Sequence, residues 1–176
     1  MKRRNIILCI GIIVASIIGT KSFAHLRLEI KPDTETLSIE EVDRIIKTIE
    51  NNPEFSMFYE AINKASLSEK VAELSNMTLM IPTNKAFRLL PEDVWENFMD
   101  EDNKDALVEL LSYHVIPKKV LIEEFKGSEK LTTLQNQPIQ IFHGNELKVE
   151  NATIEGKYDE TNEVIIYKID RLIMPL

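Results

Sequence analysis

The period of the hydrophobic pattern changes partway along the chain, and that change limits the fold more than any single motif. Between residues 39 and 111 the apolar residues recur mainly at helical spacing. Ser38-Ile39-Glu40-Glu41 has the form of a capping box, in which Ser38 accepts from the third backbone N–H and Glu41 reaches back. Ile39, Val42, Ile45, Ile46 and Ile49 follow as one stripe. Asn52-Pro53 ends that helix and opens another, with Phe55, Phe58, Ile62 and Ala65 as its buried face. Residues 77–81 read as a strand closed by Pro82, which has no N–H to give to a ladder. Thr83-Asn84 offers caps for a short helical turn through Phe87. Pro91 opens a helix with Val94, Trp95 and Phe98 on one face, and Asp102 or Asn103 caps another that buries Ala106, Leu107, Leu110 and Leu111.

After His114 the apolar residues come in short runs, at residues 132–134, 139–142, 146–149 and 164–169. His143-Gly144-Asn145 and Glu155-Gly156-Lys157 read as turns between them. Helices first and strands second predict an α+β domain rather than alternating α/β units.

The first 24 residues follow another pattern. Lys2, Arg3 and Arg4 precede an uncharged apolar run at residues 6–19, and Ser22-Phe23-Ala24 places small residues where a signal peptidase reads. The run of about 14 residues is shorter than the roughly 20 that a spanning helix needs, so a cleaved export signal is the expectation, with an uncleaved anchor as the other reading. Cys9 lies too early in the run for a lipoprotein cysteine. Cleavage after Ala24 would remove it, so the mature chain would make no disulfide and would rely on packing. Cleavage would also remove Lys2, Arg3, Arg4 and Lys21 from the 21 basic residues, leaving 17 against 29 acidic ones and a net charge of −12. So acidic a body is ill suited to nucleic acid or anionic lipid. The expected domains are a signal peptide at 1–24, a linker at 25–37 and a folded domain at 38–176.

Chemistry is sparse. The histidines are His25, His114 and His143, no Gly-x-Ser-x-Gly elbow is present, and the one cysteine lies in the signal. The acidic stretch Asp100-Glu101-Asp102-Asn103-Lys104-Asp105 lacks the glycine and the distal glutamate of a calcium loop. It reads as a solvated connection before a helix N-terminus. No cofactor or metal is expected. The Asn76-Met77-Thr78 and Asn151-Ala152-Thr153 sequons read as chance matches.

Three segments in order resemble the fasciclin domain family. Thr78-Leu79-Met80-Ile81-Pro82-Thr83-Asn84-Lys85-Ala86-Phe87 is similar to its first signature, Leu110-Leu111-Ser112-Tyr113-His114-Val115-Ile116-Pro117 to its central Tyr-His segment, and Ile169-Asp170-Arg171-Leu172-Ile173-Met174-Pro175 to its closing one. Thr132-Thr133-Leu134 and Val149-Glu150-Asn151-Ala152 fall where the family has a Thr-Leu pair and a turn. The resemblance implies small β-sheets forming a wedge with helices packed against it. It also implies a non-enzymatic module that contacts protein or polysaccharide at or beyond the cell surface.

The chain departs from the family before the last strand. Thr161-Asn162-Glu163 has no glycine, Tyr167 stands about where the family has a histidine, and the Asp-Ile pair linked to receptor binding in animal members is absent from Lys157-Tyr158-Asp159-Glu160. Asn162 is expected to take the positive φ that glycine would supply. Tyr113 is expected in the core, and His114 either bonds within the fold or joins a contact surface. Candidate partner-binding residues are Tyr113, His114, Asn162, Tyr167 and Lys168. The partner would be an unidentified surface protein or polysaccharide, with membrane contact only through an uncleaved signal, and the chain is expected to be a monomer, periplasmic or secreted. The alternative is a periplasmic carrier of a small apolar ligand, with Met57, Met80, Phe55 and Phe58 lining a cavity rather than filling the core.

Overall fold

The computed structural model describes residues 36–124 and 127–174. The signal peptide, most of the linker and Pro175 lie outside the described residues. The last linker residue, Leu37, is buried and donates its N–H to the Leu74 carbonyl.

Ser38 starts α1 (Ile39–Glu50) with its Oγ accepting from the Glu41 N–H at 3.1 Å. The other half of the capping box does not form. The Glu41 carboxylate turns to Arg44 and to the Thr161 hydroxyl, 2.6 Å away. Val42, Ile45 and Ile49 are buried, whereas Ile39, expected in the same stripe, is 78% exposed. A 3-10 turn at Pro53–Phe55 leads into α2 (Ser56–Ala65), whose Phe58, Ala61, Ile62 and Ala65 are buried. Next come α3 (Leu67–Val71), β1 (Met77–Pro82), α4 (Asn84–Phe87), α5 (Glu92–Phe98) and α6 (Lys104–Ser112). In α6, Leu107, Leu110 and Leu111 are buried as predicted, but Ala106 is exposed.

The rest is strand-rich: β2 (Val115–Ile116), β3 (Gly127–Thr132), β4 (Pro138–His143), β5 (Leu147–Val149), β6 (Ala152–Glu160) and β7 (Val164–Ile169). The pairing order is β2-β1-β7-β6-β5-β4-β3, with β1 and β7 parallel and the other neighbours antiparallel. The fold is α+β, as the pattern predicts. The sequence reading has no counterpart for α3 or β2, and two further strands depart from it. β3 precedes the predicted run at 132–134, and Thr133 instead holds a turn by bonding the Gln137 carbonyl at 3.0 Å. Glu155-Gly156-Lys157 is not a turn but the middle of β6, where the register with β7 shifts and Gly156 takes φ +144°. A strand that is bulged and largely exposed shows no clean alternation, so the period-2 signal is lost there.

β1 and β7 are buried on both faces. Met77, Leu79, Ile81, Val164 and Ile166 join the cluster formed with the helices. Met80, Ile165, Tyr167 and Ile169 face a second cluster with Ile139, Ile141, Val149 and Ala152 from β4, β5 and β6. Strands from both ends of the pairing order thus share one core, so the sheet bends across β6 and encloses it as a wedge.

Asn84 ties the helices to β1. It does not cap its own turn. Its Oδ1 accepts from the Met57 N–H at 3.0 Å, and its Nδ2 donates to the Pro53 carbonyl at 2.8 Å and the Ser56 hydroxyl at 2.9 Å. One side chain therefore satisfies an orphan donor at the start of α2. Asn84→Ala is expected to lower the unfolding free energy by about 2 kcal/mol, read as a lower urea midpoint at unchanged m-value.

Candidate functional site

The central Tyr-His segment follows α6 directly, and the end of that helix aims both side chains inward. His114 is fully buried. Its Nε2 lies 3.0 Å from the Ile173 nitrogen, which can only donate, so Nδ1 carries the proton and donates to the Leu110 carbonyl at 2.8 Å. Burial outweighs the carbonyl bond and lowers the imidazole pKa to about 4, so the ring is neutral at pH 7. With both nitrogens occupied, His114 staples the chain after β7 to the end of α6.

Tyr113 is 3% exposed and donates its hydroxyl to the Pro138 carbonyl at 3.2 Å. Burial raises its pKa, with the nearby Glu150 charge adding to the shift. Tyr167 is fully buried. Its hydroxyl accepts from the Ile122 N–H at 3.0 Å and donates to Glu123 Oε2 at 2.6 Å, and burial together with that carboxylate pushes its pKa up. A partner at the surface would not reach these three rings. Asn162 and Lys168 are solvent-accessible, at opposite ends of β7. The five residues therefore do not converge on one cavity.

Asn162 is not among the positive-φ residues, which outside glycine are, among the described residues, Ser66, Asn136 and Glu150. The turn closes through Thr161 instead. Its N–H donates to the Val164 carbonyl at 2.7 Å, and its Oγ1 accepts from the Val164 N–H at 3.0 Å. Ion pairs hold the same loop. Arg44 bridges Glu41 (3.2 Å) and Asp159 (2.5 Å), while Lys119 and Lys157 meet Glu160 at 2.8 and 2.7 Å. Hydrogen bonds from Lys119 and then Lys157 lower the Glu160 carboxyl pKa to about 2. Burial works to raise the Glu41 carboxyl, but hydrogen bonds from Arg44 and Thr161 outweigh it. Sequence reading missed this network: Glu41 and Arg44 stand at i,i+3 spacing on α1, but the pairing of Arg44 with Asp159 and of Lys119 with Glu160 joins residues far apart in sequence and carries no local signal. Lys168 lies between Glu155 (3.0 Å) and Glu54 (3.4 Å), chiefly Glu155 raising its pKa.

Two concavities differ in kind. An apolar crevice between α1, α2, α3 and β1 holds about 20 Å³. An open dish of about 680 Å³ lies on β4 and β5, lined by Phe142, Gly144, Asn145, Glu146, Lys148 and Glu150. Among the described residues no group of three or more His, Cys, Asp or Glu side chains is placed to hold a metal ion.

The fold agrees with known proteins. The sequence model of the fasciclin domain matches residues 53–175, and the chain belongs to the fasciclin domain family. The chain is 30% identical to protein sll1483 of Synechocystis over 132 residues, 74% of this chain and 73% of that protein. It is 28% identical to the immunogenic protein MPB70 of Mycobacterium bovis, covering 76% of this chain and 69% of the relative. Human periostin is 30% identical over 72% of this chain, which spans only 15% of that longer protein. A solved FAS1 domain pair from the insect cell adhesion molecule fasciclin I superposes with a TM-score of 0.55 at 15% identity, over 68% of this chain and 45% of that one. That likeness bears on the fold.

The His114 environment fixes a pH dependence. The folded pKa of about 4 lies below the ordinary 6.5, so the unfolded chain binds more protons between those values and stability rises with pH there. The contribution is complete above pH 6.5 and is lost as pH falls toward 4, amounting to roughly 3 kcal/mol. Urea midpoints measured between pH 4.5 and 6.5 are expected to fall with acidification in the native chain and to fall much less in His114→Gln.

Proposed function

We propose that this chain is an exported, non-enzymatic binding module that contacts a protein or polysaccharide at or beyond the cell surface. The observation that carries the reading is where the motif's polar atoms go. Tyr113, His114 and Tyr167 all bond within the core, so the family signature holds the fold and leaves recognition to the surface. A base with both nitrogens occupied and a depressed pKa is poorly suited to catalysis. The acidic charge disfavours nucleic acid as a partner. Residues 1–24 act as the signal, 25–37 as the linker and 38–176 as a monomeric working domain. No helix among the described residues is long and apolar enough to cross a membrane. In this reading, membrane contact comes only through an uncleaved signal.

Asn162 and Lys168 are the surface positions of this reading. The carrier alternative has little support, because the apolar crevice of about 20 Å³ is far below the roughly 300 Å³ of ligand pockets. Phe55, Phe58 and Met80 are fully packed core residues.

Intact mass and fractionation of the native protein test export. A mass starting at His25, found in periplasm or medium, is expected, and a full-length mass in the cytoplasm would overturn it. Binding is tested with Asn162→Asp and Lys168→Gln on a panel of surface proteins and glycans. Lys168→Gln is cleaner than a reversal, which would set three carboxylates together. Both variants are expected to stay folded and lose retention, and unchanged retention by both would remove these positions from the contact.

A further inference from the structure

The outer face of β3, β4 and β5 carries an aromatic ring that the fold does not use. Along β4, Ile139 and Ile141 enter the core while Gln140 and Phe142 face outward. Phe142 is 39% exposed, opposite Ser128 on β3 and Lys148 on β5. The ring therefore stands on a polar strip, whereas the buried face of the same strand already supplies the core. The hairpin residues Gly144, Asn145 and Glu146 and the residue after β5, Glu150, raise the walls of the 680 Å³ dish around it. Glu150 is held at φ +51° with Oε1 accepting from the Gln140 N–H at 2.6 Å, which fixes its carboxylate at the rim. Lys148 pairs with Glu146 at 3.1 Å on the other side. A side chain added at Gly144 would meet no atom within 4 Å, so the rim is open.

We propose that this dish binds a sugar unit of a neutral glycan chain, stacked on Phe142. The inference rests on the binding-module reading and adds to it a second contact surface, with its partner class. A pyranose presents a flat C–H face ringed by hydroxyls. The Phe142 ring offers an apolar floor for that face, and Asn145, Glu146, Lys148 and Glu150 offer donors and acceptors at its edge. The charge at the rim selects among glycans. Two carboxylates against one ammonium repel a uronate or sulfated chain and tolerate a neutral one. The shape agrees, since an open dish admits an internal unit of a chain, whereas a free small apolar ligand needs enclosure. A protein hot spot would call for a contiguous apolar patch. The other exposed large apolar side chains among the described residues, Ile39, Leu89, Tyr158 and Met174, lie on other elements.

The test is affinity electrophoresis of the whole mature chain in gels containing a soluble neutral polysaccharide (β-glucan, mannan or glycol chitin) or an acidic one (alginate). At least one neutral gel is expected to retard the native protein. Phe142→Ala is expected to weaken that binding on the order of tenfold, with its urea midpoint showing that it remains folded, and Phe142→Trp to retain it. Retardation by no neutral gel, retardation by alginate alone, or equal retardation of native protein and Phe142→Ala would overturn the proposal. If the proposal fails while the native protein is still retained by a surface protein, the binding-module reading stands without it, and if no surface protein or glycan retains the native protein, both readings fall.

Discussion

The parallel pairing of β1 with β7 is the constraint on which the remaining structure depends. It joins the strand after the helical half to the last strand, in register from Met77 opposite Val164 to Pro82 opposite Ile169. A parallel pair needs a crossover and is usually covered on both faces. Here the helices cover one face and the bent β6-β5-β4-β3 sheet covers the other, so each of the two cores has β1 and β7 as a wall. The pair also places the chain ends of other elements: α4 begins where β1 stops, and the chain after β7 runs back beneath α6.

Polar side chains then fix how the pieces meet. Hydrophobic burial is non-directional and would tolerate some sliding of helix on sheet. Asn84 removes that freedom at the start of α2, His114 at the C-terminal segment and Tyr167 at the 3-10 turn Ile122–Glu124. Each bonds a backbone group distant in sequence, and deleting His114 or Tyr167 would leave a buried backbone donor unpaired. The family signature is thus largely a set of backbone clamps. Tyr167 serves as such a clamp through its hydroxyl.

A fold clamped from within leaves its outer surface free to vary, and a binding role follows more readily than catalysis. The outer faces carry what the core does not require. These are the ion-paired loop at Thr161, the Lys168 bridge between two glutamates, and Phe142 set among polar neighbours. Of these, the Phe142 dish is the one that combines concavity with an exposed ring.

The sequence by itself determined the α+β class, the positions of the helices other than α3, β1 and β7, and the burial of Phe55, Phe58, Leu107, Leu110 and Leu111, because these depend on local periodicity, caps and proline. It also carried the family, because the three motif segments keep their order. It did not determine β3 or β6, whose exposed and bulged residues break the alternation that would reveal them. It placed Tyr113 in the core but did not separate His114 and Tyr167, which are also interior, from Asn162 and Lys168, which are at the surface. That distinction belongs to the tertiary structure, since whether a tyrosine or histidine faces solvent depends on which distant backbone group can satisfy it. Ile39 and Ala106 are the converse case. Their spacing places them on apolar stripes, yet no element lies against those turns, and only packing between elements decides that.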